Sequence, residues 1–248
     1  MKAMVLAAGL GTRLRPLTED RPKALVEVAG RTMLEITLAR LRAFGVCEVI
    51  VNAHHFADMI VEYLKAHDNF GMRIEISREQ DLLDTGGGLK KAAYFLQGGA
   101  KGGEEPFLLH NVDVISTIDI RAMMRAHTEK KALATLAVRD RKTSRHLLFD
   151  ENLQLCGRRS SADSKDEVVR PAKQAQALAF CGIHIISPRI FPLMVEEGAF
   201  SIITSYLRLA AAGEKVAAFR ADDFYWRDLG KPEDLRHAAE DMKQGVLS

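Results

Sequence analysis

The sequence predicts an α/β fold, a mixed and largely parallel sheet with helices on both faces, on two observations. Apolar residues collect in short β-like runs, and segments with helical spacing separate those runs. Residues 4–7 form the first such run. Across residues 32–44, Met33, Ile36, Leu41 and Phe44 recur near helical spacing, and Gly45 stops that helix before a strand at 47–51. Phe56, Met59, Ile60, Tyr63 and Leu64 make the next helical stripe, followed by a strand near 72–76. Residues 86–96 read as a helix and 106–109 as a short buried strand. From Leu133 the pattern changes to β-rich stretches at 133–138, 146–149, 153–156 and 179–186. Between them, residues 157–177 are rich in charge and small side chains and read as a mobile loop. A helix at 206–212, a strand at 216–219 and a helix at 232–243 with Pro232 in its first turn close the chain. The length suits one domain over residues 1–248, with a change of character near residue 130.

Composition excludes several classes. Lys plus Arg number 35 against 33 Asp plus Glu, so no broad basic face exists to neutralise a nucleic-acid backbone. Cys47, Cys156 and Cys181 are scattered and lack Cys-x-x-Cys spacing; they read as buried thiols, not as a disulfide framework or a zinc site. No apolar run reaches the length of a signal-peptide core or a membrane span, so a cytoplasmic protein with no membrane partner is expected. Apolar stripes that pack a core and those that pack a second copy look alike, so a homodimer stays open.

Residues 6–18, Leu6-Ala7-Ala8-Gly9-Leu10-Gly11-Thr12-Arg13-Leu14-Arg15-Pro16-Leu17-Thr18, follow the first strand. Gly9 and Gly11 let main-chain N–H groups turn toward an anion with no Cβ in the way. Two common phosphate motifs do not fit. The dinucleotide fingerprint wants Gly or Ala where Leu14 stands, and the Gly-Lys-Ser/Thr of a P-loop is absent. Arg13 and Lys23 flank the loop as a planar fork and a mobile point charge, suited to a phosphorus centre whose charge grows in a transition state; ordinary surface solvation is the plainer reading.

Further along, Glu79 precedes Leu82-Leu83-Asp84-Thr85-Gly86-Gly87-Gly88, where glycines open a helix whose N–H groups and positive dipole end can face ribose or phosphate oxygens. A hinge is the alternative. In Asn111-Val112-Asp113-Val114, Asp113 stands at the carboxyl end of a buried strand, where ligands of open α/β sheets collect. It is assigned to Mg²⁺, against the alternative of capping the helix that begins near Asp119. His54, His55 and His184 lack ligand spacing and read as surface-turn and strand residues.

Leu6-Ala7-Ala8-Gly9, Gly11-Thr12-Arg13, Pro16-Leu17-Thr18 and Pro22-Lys23-Ala24-Leu25-Val26 together resemble the signature of the sugar-1-phosphate nucleotidyltransferases. Three later segments follow in the family's order. The resemblance implies a Rossmann-like sheet of the nucleotide-diphospho-sugar transferase type, with residues 1–130 mainly serving the nucleotide and 131–248 mainly the sugar phosphate. The loop would wrap a nucleoside triphosphate through Leu6, Ala7, Ala8, Gly9, Gly11 and Thr12, with Arg13 and Lys23 stabilising the α-phosphate. Glu79, Thr85, Gly86 and Gly87 would hold the nucleoside. A carboxylate only accepts, so Glu79 suits uracil N3–H or the N1–H and N2–H of guanine equally. Asn111 would line the site, and Asp228 of Trp226-Arg227-Asp228-Leu229-Gly230 would join Asp113 as second ligand of Mg²⁺. On the acceptor side Gly182 matches a glycine that lets the sugar lie against the backbone, although a bulge in a core strand fits as well. The family's usual Glu-Lys-Pro is missing, and Arg170-Pro171-Ala172-Lys173 is its nearest substitute, with Lys173 or Arg170 meeting the sugar phosphate. Val112 also stands where members usually carry Gly. Phe200-Ser201-Ile202 fits either the acceptor site or a helix N-cap at Ser201.

The activity implied is transfer of a nucleoside monophosphate from UTP or GTP to a hexose-type 1-phosphate. Cytidylyl transfer to phosphocholine or another phospho-alcohol is the enzyme alternative. A non-catalytic sugar-nucleotide sensor is the other, and the intact set Arg13, Lys23, Asp113 and Asp228 argues against it.

Overall fold

Strand β1 (Lys2–Leu6) is the spine of the sheet, because its alternate residues feed two cores: Ala3 and Val5 enter one, Met4 the other. The computed structural model describes residues 1–97, 105–160 and 166–246. A small hairpin of β2 (Glu27–Val28) and β3 (Arg31–Thr32) leads into α1 (Met33–Ala43), capped by the Thr32 hydroxyl, which accepts from the Glu35 N–H. Then come β4 (Glu48–Ala53), α2 (Ala57–Ala66) and β5 (Arg73–Arg78), followed by α3 (Asp84–Lys91), α4 (Ala93–Gln97) and β6 (Phe107–Asn111). Strands β6, β1, β4 and β5 lie side by side and all parallel, joined by crossover connections that carry helices. The helix expected over 86–96 is two helices, since Ala92 breaks the run.

The second half is antiparallel around one long strand. After β7 (Val114–Ser116), α5 (Ile120–Lys130), β8 (Ala134–Arg139), β9 (Arg145–Phe149), β10 (Leu155–Ser160) and β11 (Asp166–Val168), the chain enters β12 (Gln176–Ile186). β12 pairs antiparallel with β6, β8 and β9, and so ties the parallel half to the rest. Helix α6 (Ile202–Ala211), β13 (Val216–Arg220), β14 (Trp226–Asp228) and α7 (Pro232–Lys243) complete the chain, with β13 parallel to β8. Helices α1, α2, α5 and α7 pack on one face, and α3, α4 and α6 on the other. No helix among the described residues is long and apolar enough to cross a membrane.

Two readings change. The expected loop at 157–177 contains a β-hairpin, β10 against β11, in which Arg158 pairs with Glu167 at 2.6 Å and Arg159 with Asp166 at 2.7 Å. Its charges are cross-strand partners on an exposed ribbon, which composition alone cannot distinguish from a loop; residues 161–165 lie outside the described residues. Of the three thiols read as buried, Cys47 is exposed, because it precedes the edge of β4 and is not inside it.

Three histidines, His110, His127 and His184, sit in the core without charge, the first lowered to about 4 by burial. His127 lies between the hydroxyls of Thr135 and Ser187, both at 3.0 Å, and His184 meets the Tyr206 hydroxyl at 2.9 Å. Burial, helped by the Arg189 charge, lowers His127 to about 4, and burial, helped by His110, lowers His184 to about 3. The unfolded chain takes up protons near pH 6.5 while the fold refuses them, so stability present above pH 6.5 drains away as pH falls toward 4. Each ring contributes a slope of up to about 1.4 kcal/mol per pH unit in that window. The unfolding midpoint measured from pH 7 to 4 should fall accordingly; a flat profile contradicts the neutral core histidines.

Candidate active site

The carboxyl ends of β1, β4 and β6 open onto a cleft of about 410 Å³ lined by Leu6, Ala7, Ala8 and Gly9, by Asn52, Glu79 and Leu82, and by Asp84, Thr85, Asn111, Val112, Asp113, Lys23 and Ala199. Most of the residues expected from the glycine-rich loop and the two later segments therefore share one wall. Gly11 and Thr12 sit just outside it. Gly11 has φ +66°, and a Cβ there would lie 2.9 Å from the Thr18 methyl, so a glycine is needed for the loop to fold back on itself. The Thr18 hydroxyl donates to the Gly11 carbonyl at 2.9 Å and locks that turn.

At one end of the cleft Asp113 stands beside a second carboxylate, Asp228, which lies just outside the lining. Asp113 follows β6, and Asp228 ends β14, which pairs antiparallel with β7 so that Asp228 lies opposite Val114. The Leu229 N–H donates to the Asp113 carbonyl at 2.8 Å and closes the ribbon. Burial raises the Asp228 carboxyl above the usual carboxylate range, and the Asp113 charge raises it further, while Lys23, the Gly230 N–H and Arg13 oppose both. The Lys23 ammonium pairs with Asp113. Arg13 reaches the same place from the turn after Thr12: a Cβ on Gly230 would lie 2.5 Å from Arg13 Nη2 and 2.6 Å from Asp228 Oδ1. Gly230 thus lets guanidinium and carboxylate approach across its backbone. Asp119 caps α5 itself, accepting from the N–H groups of Arg121 and Ala122, so Asp113 is free of the capping role that sequence had left open.

At the other end, a buried network connects the loop to Glu79. Asn52 is absent from the sequence-level candidates because a lone Asn at a strand end carries no motif. Its side-chain oxygen accepts from the Ala7 N–H at 2.7 Å, and its amide donates to Glu79 Oε1 at 2.7 Å. The other Glu79 oxygen accepts from the Leu83 N–H at 3.0 Å. The three glycines act differently from expectation. The helix begins at Asp84, so they lie within its first turns, and the Gly86 N–H donates to the Phe200 carbonyl at 2.8 Å instead of facing the cleft. Side chains at Gly86 and Gly87 would overlap Phe200 and the Gly198 carbonyl. Thr85 lines the cleft, and its hydroxyl accepts from the Ile202 N–H at 3.0 Å.

The acceptor-side candidates separate. Gly182 has φ +76° and sits at the register shift of β12 against β8, where a Cβ would lie 2.9 Å from Asn111 Nδ2. It is a bulge glycine that also leaves room beside Asn111. Arg170 is clamped on Asp150 at 2.6 Å and on two main-chain carbonyls, which makes it a strut under β10. Lys173 is exposed on the loop before β12 and does not line the cleft. Ser201 caps α6, its hydroxyl accepting from the Ile203 N–H at 3.3 Å.

The sequence profile of the nucleotidyl transferase family matches residues 2–245. The N-acetylmuramate α-1-phosphate uridylyltransferase of Caulobacter vibrioides is 37% identical over 240 residues, covering 93% of this chain and 92% of that one. The enzyme of the same name from Neisseria meningitidis serogroup B is 31% identical over 240 residues and covers 96% of each chain. The fold matches HddC from Yersinia pseudotuberculosis, solved with GMP-PN, with a TM-score of 0.76 at 22% identity over 97% of this chain and 99% of that one.

The third glycine of the triplet offers a direct check on the buried network. A Cβ at Gly88 would lie 2.8 Å from Glu79 Oε1 and 2.9 Å from Asn52 Nδ2. Gly88→Ala should therefore cost about 1–3 kcal/mol of stability in denaturant unfolding, as overpacking does, although alanine is the better helix former. A stabilised variant would show that the pair has room to yield.

Proposed function

We propose UTP and N-acetylmuramate α-1-phosphate as the substrates of this chain, which belongs to the nucleotidyl transferase family and transfers a nucleoside monophosphate from a nucleoside triphosphate to a sugar 1-phosphate with release of pyrophosphate. The observation that carries this reading is the convergence of Lys23, Arg13, Asp113 and Asp228 at one end of a cleft whose other end is the Asn52–Glu79 pair. The two uridylyltransferases match over more than nine-tenths of both chains, which favours uracil among the bases that Glu79 can accept from.

The residues divide the work. The backbone of residues 7–9 cradles the triphosphate, and Glu79, fixed by Asn52 and the Leu83 N–H, faces the base. The phosphate dianion of the acceptor is already a nucleophile, so no side chain needs to serve as general base. Its oxygen forms a bond to the α-phosphorus as the bond to the leaving pyrophosphate breaks. Lys23 and Arg13 sit where negative charge gathers on the α-phosphate, and their attraction increases as the reaction proceeds.

Asp113 and Asp228 suit Mg²⁺. Both donors are oxygens, their like charges raise the Asp228 carboxyl in a way that a cation relieves, and no third His, Cys, Asp or Glu joins them among the described residues. Phosphate oxygens and water are left to complete the shell. Bound there, the ion would supply charge neutralisation and a template for the two phosphate groups.

Pyrophosphate release from UTP in the presence of N-acetylmuramate α-1-phosphate is the direct test. Lys23→Ala and Arg13→Ala should each lower kcat on the order of a hundredfold or more in protein that still folds, a loss larger than the fall in unfolding midpoint left by the unpaired carboxylates accounts for. Chelation by EDTA should stop turnover and added Mg²⁺ restore it. Unaltered turnover in both variants would sink the assignment of the two cations to the α-phosphate.

A further inference from the structure

Two arginines beside β14 make no ion pair among the described residues. Arg139 ends β8 and Arg141 follows it, and the Nε of each is buried without a hydrogen-bond partner. The hydrogen bond recorded for the Arg141 guanidinium is a long one, from Nη2 to the Phe180 carbonyl at 3.3 Å. Both charges bear on Cys181, as does that of Asp222. Asp222, however, is committed to Arg220 at 2.6 Å and to the Asp140 N–H at 2.7 Å. A half-buried guanidinium with an idle Nε is costly unless something pairs with it.

The position of Arg141 tells what that partner is. Its guanidinium lies 4.5 Å from the centre of the Trp226 ring, whose indole N–H donates to the Cys181 carbonyl at 2.7 Å. Trp226 and Asp228 are two residues apart on β14, so they share one face of that strand at a spacing of about 7 Å. Cys181 in turn adjoins Gly182, whose open side abuts Asn111 at the cleft wall. Arg141 therefore flanks, through Trp226, the strand that ends at Asp228. The reacting phosphate already has Lys23 and Arg13.

We propose that Arg141, backed by Arg139, binds a second anionic group on the acceptor, a carboxylate carried by the sugar ring, and thereby selects an acidic sugar 1-phosphate over its neutral counterpart. Stacked on the Trp226 ring and held at Nη2 by the Phe180 carbonyl, the guanidinium keeps its outer Nη1 unbonded and open to solvent, so a planar carboxylate meets it end-on. The inference rests on the acceptor reading above: N-acetylmuramate is N-acetylglucosamine with a lactyl ether that ends in a carboxylate. It also accounts for how the chain works without the expected Glu-Lys-Pro segment, since the discriminating charge comes from the end of β8.

The matched pair of sugars supplies the experiment. Pyrophosphate release is measured with UTP and either N-acetylmuramate α-1-phosphate or N-acetylglucosamine α-1-phosphate, for the wild-type enzyme, Arg141→Gln, Arg141→Lys and Arg139→Gln. The wild type should favour the acidic sugar by at least about tenfold in kcat/KM, the scale of one charge-assisted hydrogen bond. Arg141→Gln should remove that preference by raising KM for the acidic sugar alone, leaving KM for UTP and the rate with the neutral sugar within about twofold, a small fraction of one such bond. Arg141→Lys should restore part of it, and Arg139→Gln should reduce it less. Equal losses on both sugars in the Arg141 and Arg139 variants would overturn the proposal, assigning these residues to structure or to the reacting phosphate. A wild type indifferent to the carboxylate would overturn it too, while leaving nucleotidyl transfer intact. Absence of pyrophosphate release with either sugar would instead remove the acceptor reading, and the proposal with it.

Discussion

The site depends on keeping two like charges together. Asp113 and Asp228 come from distant parts of the chain, and water would normally separate them. A short antiparallel ribbon, β7 against β14, fixes their backbones, and the Leu229 N–H on the Asp113 carbonyl leaves little freedom to part. Lys23 and Arg13 close on the pair from the glycine-rich loop. The loop is thus anchored electrostatically to the two carboxylates proposed to hold the metal ion. Substrate binding, cation binding and loop order are consequently one coupled equilibrium, because removing any one charge exposes the repulsion among the rest.

Much of this was legible in residue order. The glycine-rich loop, Asp113 after an apolar strand and Asp228 after Trp226 are local patterns, and local patterns survive being read without coordinates. The elements that sequence missed are those whose meaning is relational. β7 and β14 are three residues each, too short for alternation to register, yet their pairing brings Asp228 beside Asp113. Asn52 looks like any polar residue at a strand end until its two neighbours, Ala7 and Glu79, are seen across the sheet. Arg170 was placed near the acceptor by its neighbour Pro171, but Asp150 claims it. Arg141 could not be weighed at all, because an arginine's lack of a partner is a fact about space.

The triple glycine shows how one motif can answer two questions. Read along the chain, it is the start of a helix with N–H groups to offer. Seen in the fold, it is a thin place where α3 presses against the 198–200 segment and against the Asn52–Glu79 pair. The absence of side chains serves approach between protein segments first, and any benefit to a bound nucleoside follows from where Glu79 is then held. Close packing of this kind is unforgiving, because the atoms in the way are backbone or a fixed carboxylate and not the tip of a flexible chain.

β12 pairs with the parallel half through β6 and with the antiparallel half through β8 and β9, so a single strand runs under both halves of the sheet. Enzymes whose substrates meet between two separate bodies can grip cargo of different sizes by changing the angle of their jaws. A shared beam allows no such adjustment: the distance between the two halves is set when the chain folds. Such a scaffold measures its substrates instead of grasping them, and a new acceptor would be accommodated by exchanging side chains along the beam's edge, with the sheet itself left untouched.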